Sequence, residues 1–369
     1  MITAGIMAFM RMSLRHFGLA FIGTWALACV CGTTQAQSLS EISMMSGPDR
    51  QTKLEAGAKK EGEVMLYTAQ TVDDGVRPIE EGFSKKYPYI KYNYYRSASP
   101  GLIQRILSES RANKPAADVV IGSASAALKQ AALLQPFTTP EFAVYPKEYQ
   151  EPSNLWGTVR STYNGIAFNT KLVSAADAPR TWEALLDPRW KGKMIWISDL
   201  GTGGPFLIHH LRTIWGEKKA ADYFEGLRKQ EIGASGATNA AILEFVAAGE
   251  YPILVSAALH QVARAKFEKS PVDFAAPDPV PSRPEQIMLT NTAPHPYAAM
   301  LLIDYVLSID GQKILAQNGY LPANPKVEPI AYMREVLPRL TGKSEKLYMP
   351  EDTTANAEVL TNIYQKTSR

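Results

Sequence analysis

The chain has 369 residues, 46% hydrophobic and 20% charged, and its 39 Lys and Arg against 36 Asp and Glu leave a net charge of +3. This composition is too apolar for a disordered chain, and too evenly charged for a nucleic-acid binder. The length allows about two domains of ~150 residues, with a core that needs no staples.

The chain opens on a leader. Residues 1–36 hold no Asp or Glu; Arg11 and Arg15 precede an uncharged run over 17–30, and Thr34-Gln35-Ala36 follows. A basic start, a short apolar run and a small-residue exit predict a secretory signal peptide, cleaved after Ala36, with Met12 as an alternative start. The chain is therefore expected in the periplasm. Ala28-Cys29 offers a weaker lipoprotein site, and an uncleaved anchor is the third reading, although the run falls short of the ~20 residues a bilayer span needs. Cys29 and Cys31 both lie in this leader. Its loss leaves no disulfide, thiolate or cysteine-ligated metal.

Helix and strand then alternate. A helix over 48–60 stops at Gly62, and a strand over 64–67 follows. Val76, Ile79, Phe83 and Tyr87 recur as one helical face. A strand over 90–95 leads to Ser99 as a cap, with Pro100 at the first helical position. A third strand over 118–121 precedes an alanine-rich helix, completing the βαβ pattern of a parallel sheet. A second unit begins after Tyr163. Its strands fall at 194–197, 252–255 and 272–276, and its helices at 206–215, 220–228, 239–248 and 257–267. A proline-rich stretch over 277–284 comes next, then a strand-like segment over 287–290 and a helix over 297–307. The last forty residues read as a charged helical tail that wraps the surface.

Several motifs carry a family resemblance. They are Ala58-Lys59-Lys60-Glu61-Gly62-Glu63-Val64-Met65-Leu66-Tyr67, Ala117-Asp118-Val119-Val120, the run over 163–172 (YNGIAFNTKL) and the run over 181–193 (TWEALLDPRWKGK). Ala248-Gly249-Glu250, Ala293-Pro294-His295-Pro296 and Gly319-Tyr320-Leu321-Pro322 complete the set. In this order they resemble the type II periplasmic solute-binding proteins of ABC importers, in the branch of ferric-iron, polyamine, thiamine and phosphonate binders. The resemblance implies an α/β fold of two lobes joined by hinge strands, with an interlobe ligand cleft. Lobe one would be 37–163 plus 277–330, lobe two 164–276, and 331–369 the tail. It also implies a transient membrane permease partner and capture by lobe closure.

Ligands of parallel α/β sheets sit beyond the carboxyl ends of the strands. That rule selects four loops. Thr68 and Gln70 offer hydroxyl and amide groups, or simple turn chemistry. Arg96, Ser97 and Ser99 combine a planar cation with a helix start, the best anion signal in the chain, against a surface arginine and a plain cap. Ser123 and Ala124 allow close backbone approach, or form a tight turn. Gly201, Thr202, Gly203 and Gly204 expose backbone donors at a helix start, or form a flexible loop; the spacing is neither a P-loop nor a dinucleotide fingerprint. Tyr163 would stack on a ligand or pack the hinge. His260 would reach the cleft or stay in the core.

The resemblance implies adjacent tyrosines after a lobe-two strand in ferric members. The corresponding stretch here, Val255-Ser256-Ala257-Ala258-Leu259-His260, has none. Tyr94-Tyr95 lies on a strand, where neighbours face opposite ways, and His209-His210 lies mid-helix, where neighbours do not share a face. No metal site, cofactor or catalytic constellation is expected. The sequence thus predicts a monomeric, non-enzymatic binding protein for a small anionic organic ligand. Alternatives are a metal- or polyamine-binding member of the same family, a periplasmic enzyme, or a receptor-docking sensor on the same fold.

Overall fold

The computed structural model describes residues 37–368. The leader expected over 1–36 lies outside the described residues. Among these residues the strands in chain order are β1 (Glu63–Thr68), β2 (Lys91–Arg96), β3 (Val119–Gly122), β4 (Leu134–Gln135), β5 (Gly157–Asn169), β6 (Met194–Ile197), β7 (Gly233–Ser235), β8 (Ile253–Ala258), β9 (Val272–Ala275), β10 (Val280–Thr290) and β11 (Glu345–Leu347). They run β2-β1-β3-β10-β5-β8-β6-β7, with β4 and β11 on β10 and β9 on β5. β1, β2 and β3 pair in parallel, as the βαβ pattern requires.

β5 changes partners along its length. It pairs with β10 through Tyr163, and with β8 and β9 from Asn164 onward. Two large apolar cores lie on either side of that change. One gathers Phe83, Ile121, Ile287 and Leu301; the other gathers Trp196, Leu207, Leu227 and Ile253. This is the two-lobed α/β architecture.

Local chemistry explains the boundaries. The helix Arg50–Glu61 ends at Gly62, whose φ of 74° gives a left-handed cap that a side chain would strain. The helix Pro296–Leu307 starts on a proline, which has no N–H to leave orphaned. Two sequence motifs meet here. The buried Asp118 carboxylate accepts from the His295 N–H at 2.7 Å, from His295 Nδ1 at 2.9 Å and from the Met65 N–H at 2.7 Å. The side chain therefore ties β3, β1 and this helix start together.

Three expectations are corrected. The helix Ser99–Arg111 has Ala98 as its cap residue, with Ser99 and Pro100 in its first turn. The Ser99 hydroxyl instead accepts from the Ser123 N–H at 3.2 Å. The proline-rich stretch is mostly strand, since β10 begins at Val280 and carries Pro281 and Pro284. A register shift follows immediately, between Glu285 and Gln286, and prolines are tolerated at such irregular pairings. The tail also does more than wrap the surface. Leu360 and Tyr364 of the helix Ala357–Thr367 are buried in the Trp196 core, and Trp196 Nε1 donates to Ser368 Oγ at 2.9 Å. No helix among the described residues is long and apolar enough to cross a membrane.

Candidate functional site

The strands that join the two cores have two faces. Arg160 of β5 lies opposite Glu285 of β10, and Thr162 lies opposite Arg283. Strand alternation puts these four on one face and Ser161, Tyr163 and Ser282 on the other.

The first face is strongly polar. Arg160 Nε donates to Glu285 Oε2 at 2.8 Å, and Nη2 donates to Oε1 at 3.3 Å. Gln70 Nε2 donates to the same carboxylate at 2.9 Å. The Arg160 guanidinium sits 4.2 Å from the Tyr320 ring centroid, and the Tyr320 hydroxyl bonds Thr71 Oγ1 at 3.1 Å. Burial alone would lower the Arg160 pKa, but Glu285 more than offsets it, so the guanidinium stays charged. A cavity of about 220 Å³ opens here, lined by Gln70, Asp74, Arg160, His260, Arg264 and Tyr320.

His260 and Gln261 enter this cavity from the first turn of the helix Leu259–Phe267. Burial, aided by Arg160 and Arg264, pushes the His260 pKa down to about 3. The imidazole is therefore neutral, and its buried Nδ1 has no hydrogen-bond partner; nor does Gln261 Oε1. Further along the helix, Arg264 Nη1 lies 3.5 Å from Asp74 Oδ2, bridging the cavity mouth.

Arg283 is the second arginine of this face. Its Nε is buried with no hydrogen-bond partner, and among the described residues no carboxylate lies within ion-pair distance. Burial lowers its pKa, while Asp199 and Glu351 act from further away to hold the charge. The guanidinium rests against Gly201, where an added Cβ would fall 1.6 Å from Nη1. Glycine here makes room for the arginine.

The structure brings some of the expected residues together and separates others. Gln70 and His260 meet in the cavity. Thr68 is buried, and its hydroxyl accepts from the Gln70 N–H at 3.1 Å, so it shapes the turn. Arg96 is exposed beside it, with Nε 3.4 Å from the Gln70 carbonyl. Ser97 lies against Gly101, where an added Cβ would fall 2.3 Å from its hydroxyl. Ser99 binds the exposed Ser123 loop, and Ala124 is buried in the core beneath.

The glycine run is not an open cradle. Asp199 Oδ1 accepts from the N–H groups of Gly201 at 2.9 Å and Thr202 at 2.8 Å, and from the Thr202 hydroxyl at 3.0 Å. The Gly203 N–H donates to the Asp199 carbonyl at 2.8 Å. The protein's own carboxylate occupies these donors. Gly203 passes close to the backbone, with an added Cβ 2.3 Å from the Ile197 carbonyl, and Gly204 packs under Trp196 and Tyr364.

Tyr163 faces the other side of the hinge strands, where its hydroxyl lies 3.2 Å from that of Tyr149. It does not line the cavity. Arg160, Arg283, Glu285 and Tyr320 are the residues sequence reasoning missed. The available signal was a lone charge, Arg160, and a charged pair two residues apart, Arg283 and Glu285, inside otherwise uncharged strand-like runs.

Comparison with known proteins agrees with this geometry. The model of the bacterial extracellular solute-binding protein family matches residues 114–340. Iron uptake protein A1 of Synechocystis is 26% identical over 247 residues, covering 63% of this chain and 68% of that protein. The Trichodesmium protein FutA, solved in complex with iron and citrate, superposes with a TM-score of 0.70 at 22% identity, covering 83% of this chain and 99% of that one. The periplasmic binding protein AfuA of Actinobacillus pleuropneumoniae, solved with fructose-6-phosphate, gives a TM-score of 0.66 at 23% identity, covering 82% and 97%. Matched over more than half its length and sharing this fold, the chain belongs to the bacterial extracellular solute-binding proteins and serves as the binding component of an ABC importer.

Proposed function

We propose that the protein captures a small anion between its lobes: an organic phosphate or carboxylate, free or as the chelator around a metal ion. The observation that carries this reading is Arg283, a half-buried guanidinium with a buried, unpartnered Nε and no carboxylate within ion-pair distance among the described residues. A buried N–H without an acceptor on a partly desolvated cation is costly, and a bound anion offsets that cost. The planar fork of arginine matches carboxylate and phosphate oxygens. Arg160 lies on the same face of the hinge strands, and it lines the cavity there together with the neutral His260 and with Gln70, which is positioned through Glu285.

The lobes in this reading are 37–163 plus 277–330 and 164–276. The change of partner along β5 at Tyr163 and Asn164 supports that division. The protein acts as a monomer in the periplasm, performs no chemistry on its ligand, and docks transiently on a permease when closed.

A second reading is a ferric ion held directly, favoured by the iron-uptake relative in Synechocystis and the iron-bound FutA structure. Thermal-shift measurements with fructose-6-phosphate, citrate, ferric citrate and ferric ion separate the two, because a ligand of the native state raises the melting temperature by mass action. The anion reading expects a shift with fructose-6-phosphate or citrate, or with ferric citrate where ferric ion alone gives none. A shift with ferric ion, and none with any anion lacking it, supports the second reading.

A further inference from the structure

The rear face of the hinge strands holds a second polar constellation. Tyr163 and Ser282 are register partners there, on β5 and β10. Glu345 of β11 reaches across both. Its carboxylate accepts from Ser282 Oγ at 2.5 Å, and lies 2.9 and 3.0 Å from the Tyr149 hydroxyl and 3.3 Å from the Tyr163 hydroxyl. These three hydroxyls hold one proton each, whereas an ionised carboxylate has about four lone-pair sites. At least one acceptor site stays open, and the negative charge has no Lys, Arg or His within ion-pair distance among the described residues.

This carboxylate forms part of the wall of a cavity of about 460 Å³, against about 220 Å³ for the one between the lobes. That volume lies in the range of small-ligand sites. The other charges facing it do not neutralise Glu345. Arg339 is engaged by the Val327 carbonyl at 3.1 Å and Glu328 at 3.6 Å, and Lys346 lies 5.9 Å from the Tyr348 ring centroid. Glu148, exposed at the rim, adds a second negative charge. Pro146, Pro322 and Leu347 supply apolar wall. Burial raises the Glu345 pKa, as expected for a carboxylate without a counter-ion.

We propose that this rear cavity is a second binding site, for a small organic cation with an ammonium or guanidinium head on Glu345 and an apolar body along the proline wall. This site is separate from the cleft and does not depend on what the cleft holds.

The test uses n-butylammonium chloride as probe at pH 8, with potassium butyrate and potassium chloride as controls, read by thermal shift and isothermal titration. The expected result is a saturable stabilisation by butylammonium alone, abolished in Glu345→Gln. Glu148→Lys, at the exposed rim, should weaken binding several-fold without disturbing the hydroxyl cluster. The proposal is overturned by the absence of saturable binding to the wild-type protein, or by undiminished binding in Glu345→Gln. Should that variant fail to fold, undiminished binding in Glu148→Lys overturns it.

Discussion

Arg283 places function and stability in opposition. A half-buried guanidinium whose Nε has neither water nor a partner costs the empty protein stability, and the anion proposed for it would offset that cost. Replacing it with methionine keeps most of the volume and removes the charge. Arg283→Met is therefore expected to melt at the same temperature as the wild type or a few degrees above it; a drop of many degrees would mean that the arginine is a structural tie. His210 makes a separate prediction about acid. It is fully buried, its Nδ1 lies 2.9 Å from the Tyr348 hydroxyl, and burial, with His209 and Lys346 adding, lowers its pKa to about 3. The folded value lies below the unfolded one of about 6.5. Its contribution is thus fully present above pH 6.5 and lost as pH falls toward 3. The slope for one proton is about 1.4 kcal/mol per pH unit. Urea midpoints from pH 7.5 to 4 should fall less steeply in His210→Asn, and an unchanged slope would refute the assignment. Neither residue was legible as such in the sequence. A lone arginine in a strand and a histidine pair in a helix gain their meaning only from what packs around them.

The turn between β6 and the helix Gly204–Trp215 shows the limit of reading glycines as an anion site. Glycines before a helix were correctly placed, but the sequence does not reveal that Asp199 folds back onto the donors. Close packing, rather than flexibility, demands the glycine at 203. Gly203→Ala would push a methyl against the Ile197 and Asp199 carbonyls, and should cost about 2 kcal/mol by urea denaturation. A change under a few tenths would show that the turn yields freely. Periodic elements were far more legible. The helix Asn239–Ala248 and the strand Met194–Ile197 stand where the apolar pattern puts them. β10 was legible only in its last residues, because Pro281 and Pro284 mask a strand whose long-range partners supply its pairing. The tail's burial was invisible for the same reason, since Leu360 and Tyr364 complete a core formed some 150 residues earlier in the chain.

Across the whole molecule, the two cores meet through β5 and β10, and contacts such as Arg264 with Asp74 span the cavity between them. That pair is half exposed, so it contributes at most about 1 kcal/mol and does not hold the lobes shut by itself. Ligand binding must supply the rest, and the proposed anion contact at Arg283 is the candidate for it. The fold was legible in the order of its motifs. The ligand was not, because the deciding charges come from strands far apart in sequence and converge only when the lobes assemble. The most direct test is isothermal titration of fructose-6-phosphate, citrate and ferric citrate into wild type and Arg283→Met, with ferric ion as a fourth titrant. At least one of these anions is expected to bind the wild type and to lose about tenfold or more in affinity in the variant, a difference of about 1.4 kcal/mol or more. Equal binding of ferric ion by both proteins, with no anion bound by either, would contradict it.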